Sequence, residues 1–372
     1  MSKLIYILPL LGLVSGCGKN AHDAATGAAA AGHAATQKSV RISLVLGATG
    51  NEFAGEQRAG AMAAARDLGP TVQLRISGPP QIDPGEEVKI FQNETSTSPD
   101  AIIVAPMPPS LFVEPARKAT DQGIPVAYLM TPPGADVAEA LFVGQREYDV
   151  GRRVANLTVD RIIAKSGSAP PESVPGKIIT ANCVPGMENL DDRMLGVRTA
   201  LTERLPKVLV PPDMNSENER GTTFSLWQQA VQANPNALAL VGACENDSVS
   251  LAKIKEDDHR SFEMVVFDTP EAVRNSIQQG TIAAAVPPSH FTSAYMAVWT
   301  VANALLKGEK VPQGWLETPI RVIDAGNVSA FSAASLPPQN LEGFYRQDIE
   351  MLKTKDVHHL PPLSAARAPA VR

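Results

Sequence analysis

Aromatic residues make up only 5% of this chain, fewer than a protein that grips long polysaccharides by ring stacking would carry. Its three cysteines have no histidines at ligand spacing, so there is no zinc signature and no metal to assign. A basic excess is missing too. The formal net charge is -6, which excludes a basic footprint for nucleic acid or an anionic membrane. No Gly-x-Ser-x-Gly elbow, His-Glu-x-x-His pair or Walker loop occurs. Of the six histidines, His22, His33, His358 and His359 lie toward the two ends. That leaves His259 and His290 in the body, and His259, after Glu256-Asp257-Asp258, reads as a solvated loop residue. These absences argue against an enzyme and against a cofactor.

What is present describes an ordinary globular chain. Hydrophobic content of 44% and charged content of 19% suit a sizeable core, and the length suits one large or two medium domains. The first segment stands apart. Lys3 precedes an apolar run from Leu4 to Val14, eleven residues against the roughly 20 that span a bilayer, so it reads as an export signal. Leu13-Val14-Ser15-Gly16-Cys17 resembles the bacterial lipoprotein box. That resemblance implies removal of residues 1–16, acyl chains on Cys17, and a protein attached to a membrane only by them, in the periplasm or on the outer cell surface. Losing Lys3 moves the formal net charge to -7. Residues 17–38 are Ala-rich without apolar periodicity and read as a tether. In an oxidising compartment the two remaining cysteines, Cys183 and Cys244, read as a disulfide.

The body alternates between two periods. Val40 to Leu46 is a β-branched and leucine run suited to a strand buried on both faces. An Ala-rich helix follows from Phe53 to Leu68, stopped by Gly69-Pro70. Strands at Val72–Ser77, Ala101–Val104 and Pro125–Met130 alternate with helices at 83–96 and Leu111–Asp121. After Leu141-Phe142-Val143-Gly144 the alternation starts again and runs to Lys307. The spacing predicts an α/β chain of two doubly wound parallel-sheet halves. Residues 353–372, rich in Pro and Ala at their end, read as a loose tail.

Gly47-Ala48-Thr49-Gly50 follows a buried strand and resembles the phosphate turn of short-chain dehydrogenases. The third glycine of that pattern would fall on Phe53, and no acidic residue ends the second strand at Ser77-Gly78. Tyr148 is followed four places on by Arg152, where those enzymes use lysine. The dinucleotide reading fails.

Four segments carry a fuller resemblance. They are Asn51-Glu52-Phe53 after the first strand, Gly123-Ile124-Pro125-Val126, Glu245-Asn246-Asp247, and Val266-Phe267-Asp268-Thr269-Pro270. In this order they resemble the periplasmic substrate-binding proteins of the ribose and galactose type, from about Val40 to Leu352. The resemblance implies two lobes joined by three crossings, near Gly144, near Pro287 and at Pro312 to Trp315. Lobe 1 is then 39–144 plus 289–313, and lobe 2 is 145–288 plus 314–352. Ligand is expected between the C-terminal ends of the strands.

Carried over residue by residue, the resemblance places Asn51 and Phe53 on the first-lobe wall, and Asn246 and Asp268 on ligand hydroxyls from the second lobe. Asn218 and His290 fall at loop positions that reach the ligand. The chain also departs from the pattern. Met130-Thr131 stands where sugar binders end the fourth strand with Asp-Arg, and Asp191 stands where they place an arginine that reaches the sugar. Arg193 matches a second family arginine. The pocket for a simple aldose is therefore not reproduced. The resemblance also makes the Cys183 and Cys244 strands neighbours, and a bridge between them would be worth roughly 4 kcal/mol by chain entropy. It implies a monomer that takes a small, carbohydrate-like molecule and presents its closed form to an ABC permease, or alternatively to a signalling receptor or sensor kinase.

Overall fold

A computed structural model describes residues 38–167, 170–258 and 261–369. The expectations for Cys17, for the tether with His22 and His33, and for His259 lie outside these residues. The first half runs β1 (Val40–Val45), α1 (Glu52–Leu68), β2 (Val72–Ser77), α2 (Pro84–Ser96), β3 (Ala101–Val104), α3 (Val113–Asp121), β4 (Val126–Leu129) and β5 (Leu141–Gly144). Strands β1, β3, β4 and β5 are buried along nearly their whole length, as helices on both faces of a sheet require. The second half continues with α4 (Glu147–Lys165), β6 (Gly176–Asn182), α5 (Glu188–Arg204), β7 (Val208–Leu209) and β8 (Met214–Asn215). It is completed by α6 (Arg220–Ala233), β9 (Ala239–Gly242), α7 (Glu245–Asp258), β10 (Val265–Phe267), α8 (Glu271–Gln278) and β11 (Ala284–Val286).

The chain then returns to lobe 1 as α9 (His290–Lys307) and β12 (Gly314–Glu317), and crosses again to β13 (Ile323–Asp324). Lobe 1 holds a six-stranded sheet in the order β12-β5-β4-β3-β1-β2, every pair parallel. In lobe 2, β6 pairs with β7, β8 and β9; β10 pairs with β11; and β13 closes the edge antiparallel to β11.

Three expectations need correction. Strand β12 pairs Gly314–Glu317 with Leu141–Gly144, so it belongs to lobe 1. The third crossing therefore lies just beyond Glu317 and not at Pro312–Trp315. The residues beyond are also differently placed. Helix α10 (Val328–Ser335) packs on α8 of lobe 2, whereas α11 (Leu341–Lys353) packs on α1 and α9 of lobe 1. Tyr345 of α11 stacks on Phe291 of α9 and meets Phe331 of α10 edge-on. The supposed loose tail is docked. Trp315 N donates to Pro361 O, Leu363 and Ala366 are buried in lobe 1, and Arg367 pairs with Glu188 of lobe 2. A short stretch rich in Pro and Ala needs only two buried apolar side chains and a few backbone hydrogen bonds to lose its freedom.

Two close approaches between helices set the geometry of the cleft walls. Gly60 on α1 lies against the Phe291 carbonyl of α9, and an added Cβ would collide with it. Gly151 on α4 and Gly196 on α5 face the backbone of the opposite helix at Arg193 and Tyr148 in the same way. A single side chain ties the three crossings together. Gln145 Nε2, on the first crossing, donates to Ser289 Oγ on the second (2.8 Å) and to Pro319 O on the third (2.7 Å). Ser289 Oγ in turn donates to Pro319 O (2.7 Å). Gln145 is 1% exposed, so water cannot take over these bonds.

Gln145→Ala is expected to lower unfolding stability by about 2 kcal/mol, the cost of two buried hydrogen bonds and a small cavity. Chemical denaturation checks it, and an unshifted midpoint would show that other contacts hold the crossings.

Candidate functional site

A cavity of about 420 Å³ lies between the lobes. Its walls come from the residues just past the C-terminal ends of strands: Gly47 after β1, Ala105 and Met107 after β3, Met130 and Thr131 after β4. From lobe 2 come the loop Cys183 to Met187 after β6, Cys244 after β9 and Asp268 after β10. Open parallel sheets place their binding crevice at such strand ends.

The lobe 1 wall is built on α1 and α9. Phe53 and Gln57 stand one helical turn apart on α1 and share a face. The Phe53 ring stacks on His290 at the start of α9, centroids 5.4 Å apart. Gln57 Nε2 lies 3.5 Å from His290 Nδ1, and His290 Nε2 lies 3.4 Å from Asp268 Oδ1 of lobe 2. With the amide donating to Nδ1, the imidazole proton sits on Nε2, toward the carboxylate. The close packing at Gly60 is what brings α1 and α9 near enough for this chain of contacts.

The lobe 2 wall is built on α4 and α5. Arg193 and Glu147 form an ion pair at 2.8 Å with both side chains almost fully buried. Arg193 Nη1 also donates to Ala243 O (2.6 Å), and the guanidinium lies over the Phe267 ring at 4.6 Å. All three of its nitrogens are thereby engaged. A buried pair this well bonded is self-neutralising, and losing either partner would strand a charge. Cys183 and Cys244 are joined by a disulfide, Cα atoms 6.2 Å apart, between the ends of the paired strands β6 and β9. Their sulfurs and Asp247 are the only converging metal-type group among the described residues, and the sulfurs are committed to each other. Asp247 is occupied as well, accepting from Trp227 Nε1 (2.7 Å) and from Cys244 N (2.9 Å).

Of the residues singled out in the sequence, Phe53, Met130, Thr131, Arg193, Asn218, Asp268 and His290 line the cavity. Three do not. Asn51 caps α1, its Oδ1 accepting from Ala54 N (3.1 Å). Asp191 accepts from Asn182 Nδ2 (2.8 Å) and from Gly186 N, so it shapes the loop behind the wall. Asn246 is half-buried and donates to Asn218 O (3.1 Å). In each case the short polar side chain satisfies nearby backbone or loop groups, the local role such residues commonly fill. Sequence reading missed Gln57, Glu147, Glu245, Met107, Met187 and Asn189. Two signals were available: Gln57 follows Phe53 at i+4, and Glu245 directly precedes Asn246 at the start of α7.

The carboxyl groups near the cleft carry unusual proton affinities. Glu245 is pushed up to about 7 by burial, with Asp268 and Glu52 adding negative charge. Glu56, behind the wall on α1, is also raised to about 7 by burial, partly offset by His290. Glu87 is raised to about 8 by burial, although it accepts from Met107 N (3.2 Å). Two cavity residues on opposite lobes hold left-handed backbone without being glycine: Met130 at φ 64° and Asp268 at φ 61°. Such conformations cluster where a site must be held in one shape.

Comparison with known proteins gives a consistent picture. Residues 42–310 match the family described as periplasmic binding protein domain. A curated relative, the D-ribose/D-allose-binding protein of Pseudomonas aeruginosa, is 23% identical over 79% of this chain and 91% of its own length. Among solved structures, a solute-binding protein of an ABC transporter from Agrobacterium vitis, bound with α-D-tagatopyranose, has a TM-score of 0.68 at 24% identity. That alignment covers 80% of this chain and 98% of the other. A periplasmic solute-binding protein from Actinobacillus succinogenes with bound D-allose has a TM-score of 0.69 at 19% identity, covering 78% and 99%.

The raised acids set a sign for the pH dependence of stability. The folded chain keeps a proton on Glu87 to about pH 8, while an unfolded chain loses it near 4.5. The folded state then holds more protons in that window, so stability falls as pH rises through it. Glu87→Gln is expected to melt level with the parent near pH 4.5 and several degrees above it at pH 8.5. Parallel melting curves across that range would show that the proton is not held there.

Proposed function

The chain belongs to the periplasmic binding protein family, and on that premise we propose that it captures a small, carbohydrate-like solute between its lobes for delivery to an ABC importer. Its place is the periplasm, as the family implies, and its output is recognition without bond-breaking. The observation that carries the reading is the cavity itself. It lies at the strand ends of two separate sheets, and its wall draws charged and hydrogen-bonding side chains from both. A solute seated there touches Phe53, Gln57 and His290 on one side and Glu245, Asp268 and Asn218 on the other. Its binding free energy therefore favours the arrangement in which the walls are close, which is how a ligand drives closure.

The relatives support a carbohydrate-like ligand, since the two solved structures carry tagatose and allose and the curated relative is a D-ribose/D-allose-binding protein. The lipid anchor is part of the same proposal. Acyl chains on Cys17, followed by a tether to residue 38, would keep the binding body near a membrane permease and raise its effective concentration there.

Asp268→Asn removes the charge and keeps a residue that tolerates left-handed backbone. It is expected to weaken ligand binding more than tenfold with little change in melting temperature. Titration calorimetry after a thermal-shift screen of sugars and polyols measures it. Equal affinity in the variant would remove Asp268 from the site.

A further inference from the structure

The cavity has an uneven chemistry that a fully hydroxylated ring does not match. Glu245 and Asp268 share the cavity with Asn218 and His290, and Gln57, Thr131 and Asn189 add amide and hydroxyl groups. Much of the remaining wall is apolar, formed by Ile82, Met107, Met130, Val184, Met187 and Leu190. A monosaccharide carries hydroxyls around its whole rim, and those turned toward the thioethers and aliphatic groups would lose their water without gaining a partner. The one aromatic ring of the wall, Phe53, already has a face covered by His290.

Carboxyl groups outnumber cations on the wall. Three carboxyl groups line the cavity, Glu147, Glu245 and Asp268, against the single guanidinium of Arg193. That guanidinium is spent on Glu147 and Ala243 O. Glu245 has no hydrogen-bonded or ionic partner among the described residues, and Asp268 has only the 3.4 Å contact from His290. Asn189, also on the wall, has a buried Oδ1 with no partner. Outside the wall, Arg274 is taken by Thr269 O and Glu52, and Arg220, whose charge acts on Glu245, does not line the cavity. Acceptors without donors, and anions without a counter-charge, call for a guest that supplies both.

We propose that the solute is a ring of monosaccharide size bearing a protonated amine, sparsely hydroxylated elsewhere, whose ammonium sits between Glu245 and Asp268. This rests on the solute-capture reading above and narrows it. The ammonium offers three donors where a hydroxyl offers one. The apolar side of the ring lies against Met107, Met130 and Met187, whose unbranched thioethers adapt to its outline. The raised proton affinity of Glu245 fits the same arrangement. Burial and the charges of Asp268 and Glu52 push it up, His290 and Arg220 oppose that, and a bound cation would bring it down. Binding at neutral pH then releases a proton.

The test uses the full-length chain and a matched pair of rings, a 3-amino-2,3,6-trideoxyhexose and its counterpart with a hydroxyl in place of the amine. D-ribose, D-allose and D-tagatose form a neutral set. Calorimetry at pH 7.5 is expected to show the amine binding at least tenfold tighter than its counterpart and than the three sugars. The preference should shrink at least fivefold at pH 5.5, where Glu245 is protonated, and at pH 7.5 in Glu245→Gln. Proton release, read from the dependence of the heat on buffer, should accompany binding of the amine at pH 7.5. A neutral ring that binds as tightly as the amine, with lobe closure seen by small-angle scattering, overturns the ammonium assignment and leaves solute capture standing. A preference undiminished in Glu245→Gln overturns the assignment too. Binding by neither set overturns both.

Discussion

The amide of Gln145 decides where the two lobes can meet. It lies where β5 leaves lobe 1, and its two donated bonds reach the start of α9 and the segment after β12. Three chain passages between lobes are thereby joined at one buried point, and everything lining the cleft is positioned by elements that start or end beside it. Helix α4, with Glu147, begins two residues later, and His290 begins α9 one residue after Ser289. A cleft whose walls are rooted at one node can change its opening with small rotations there while each wall stays rigid.

Rigidity of the walls comes from packing that only glycine permits. At Gly60, and at the reciprocal pair Gly151 and Gly196, backbone meets backbone. The first contact sets α1 against α9 and so sets Phe53 and Gln57 against His290. The second sets α4 against α5 and so brings Glu147 within bonding distance of Arg193. Each wall thus carries a cluster whose geometry is fixed inside its own lobe; the His290–Asp268 contact reaches across the cavity, and Arg274 and Glu52 pair between the lobes.

Much of the fold was legible because strands buried on both faces leave apolar runs: Ala101–Val104 is unbroken, and Val40–Val45 is interrupted only by Arg41 and Ser43. The third crossing was not legible. Gly314–Glu317 is four residues long and follows a proline, and nothing local says which sheet it joins; pairing with β5 decides that. The candidate site divides for a similar reason. Asn51, Asp191 and Asn246 are short polar residues near helix starts, where capping a helix and holding a ligand demand the same chemistry. Distance across the fold separates the two roles, and a sequence does not carry it. Glu245, one place before Asn246, lines the cavity because the start of α7 turns that position inward.

The electrostatics of the cleft follow from which charges are settled within one lobe. Arg193 and Glu147 neutralise each other inside lobe 2, and Arg274 is held beside Thr269, so neither cation is free to balance Glu245 or Asp268. Keeping two carboxyl groups on the wall without an ion-paired cation costs stability, and burial, with the charge of Asp268, pushes Glu245 up to about 7. Asp268 adds left-handed backbone at the same spot. Replacing Glu245 with glutamine would remove that repulsion at little expense to packing. A guest that brings positive charge and donors would offset that cost on binding, and a neutral guest would leave it in place.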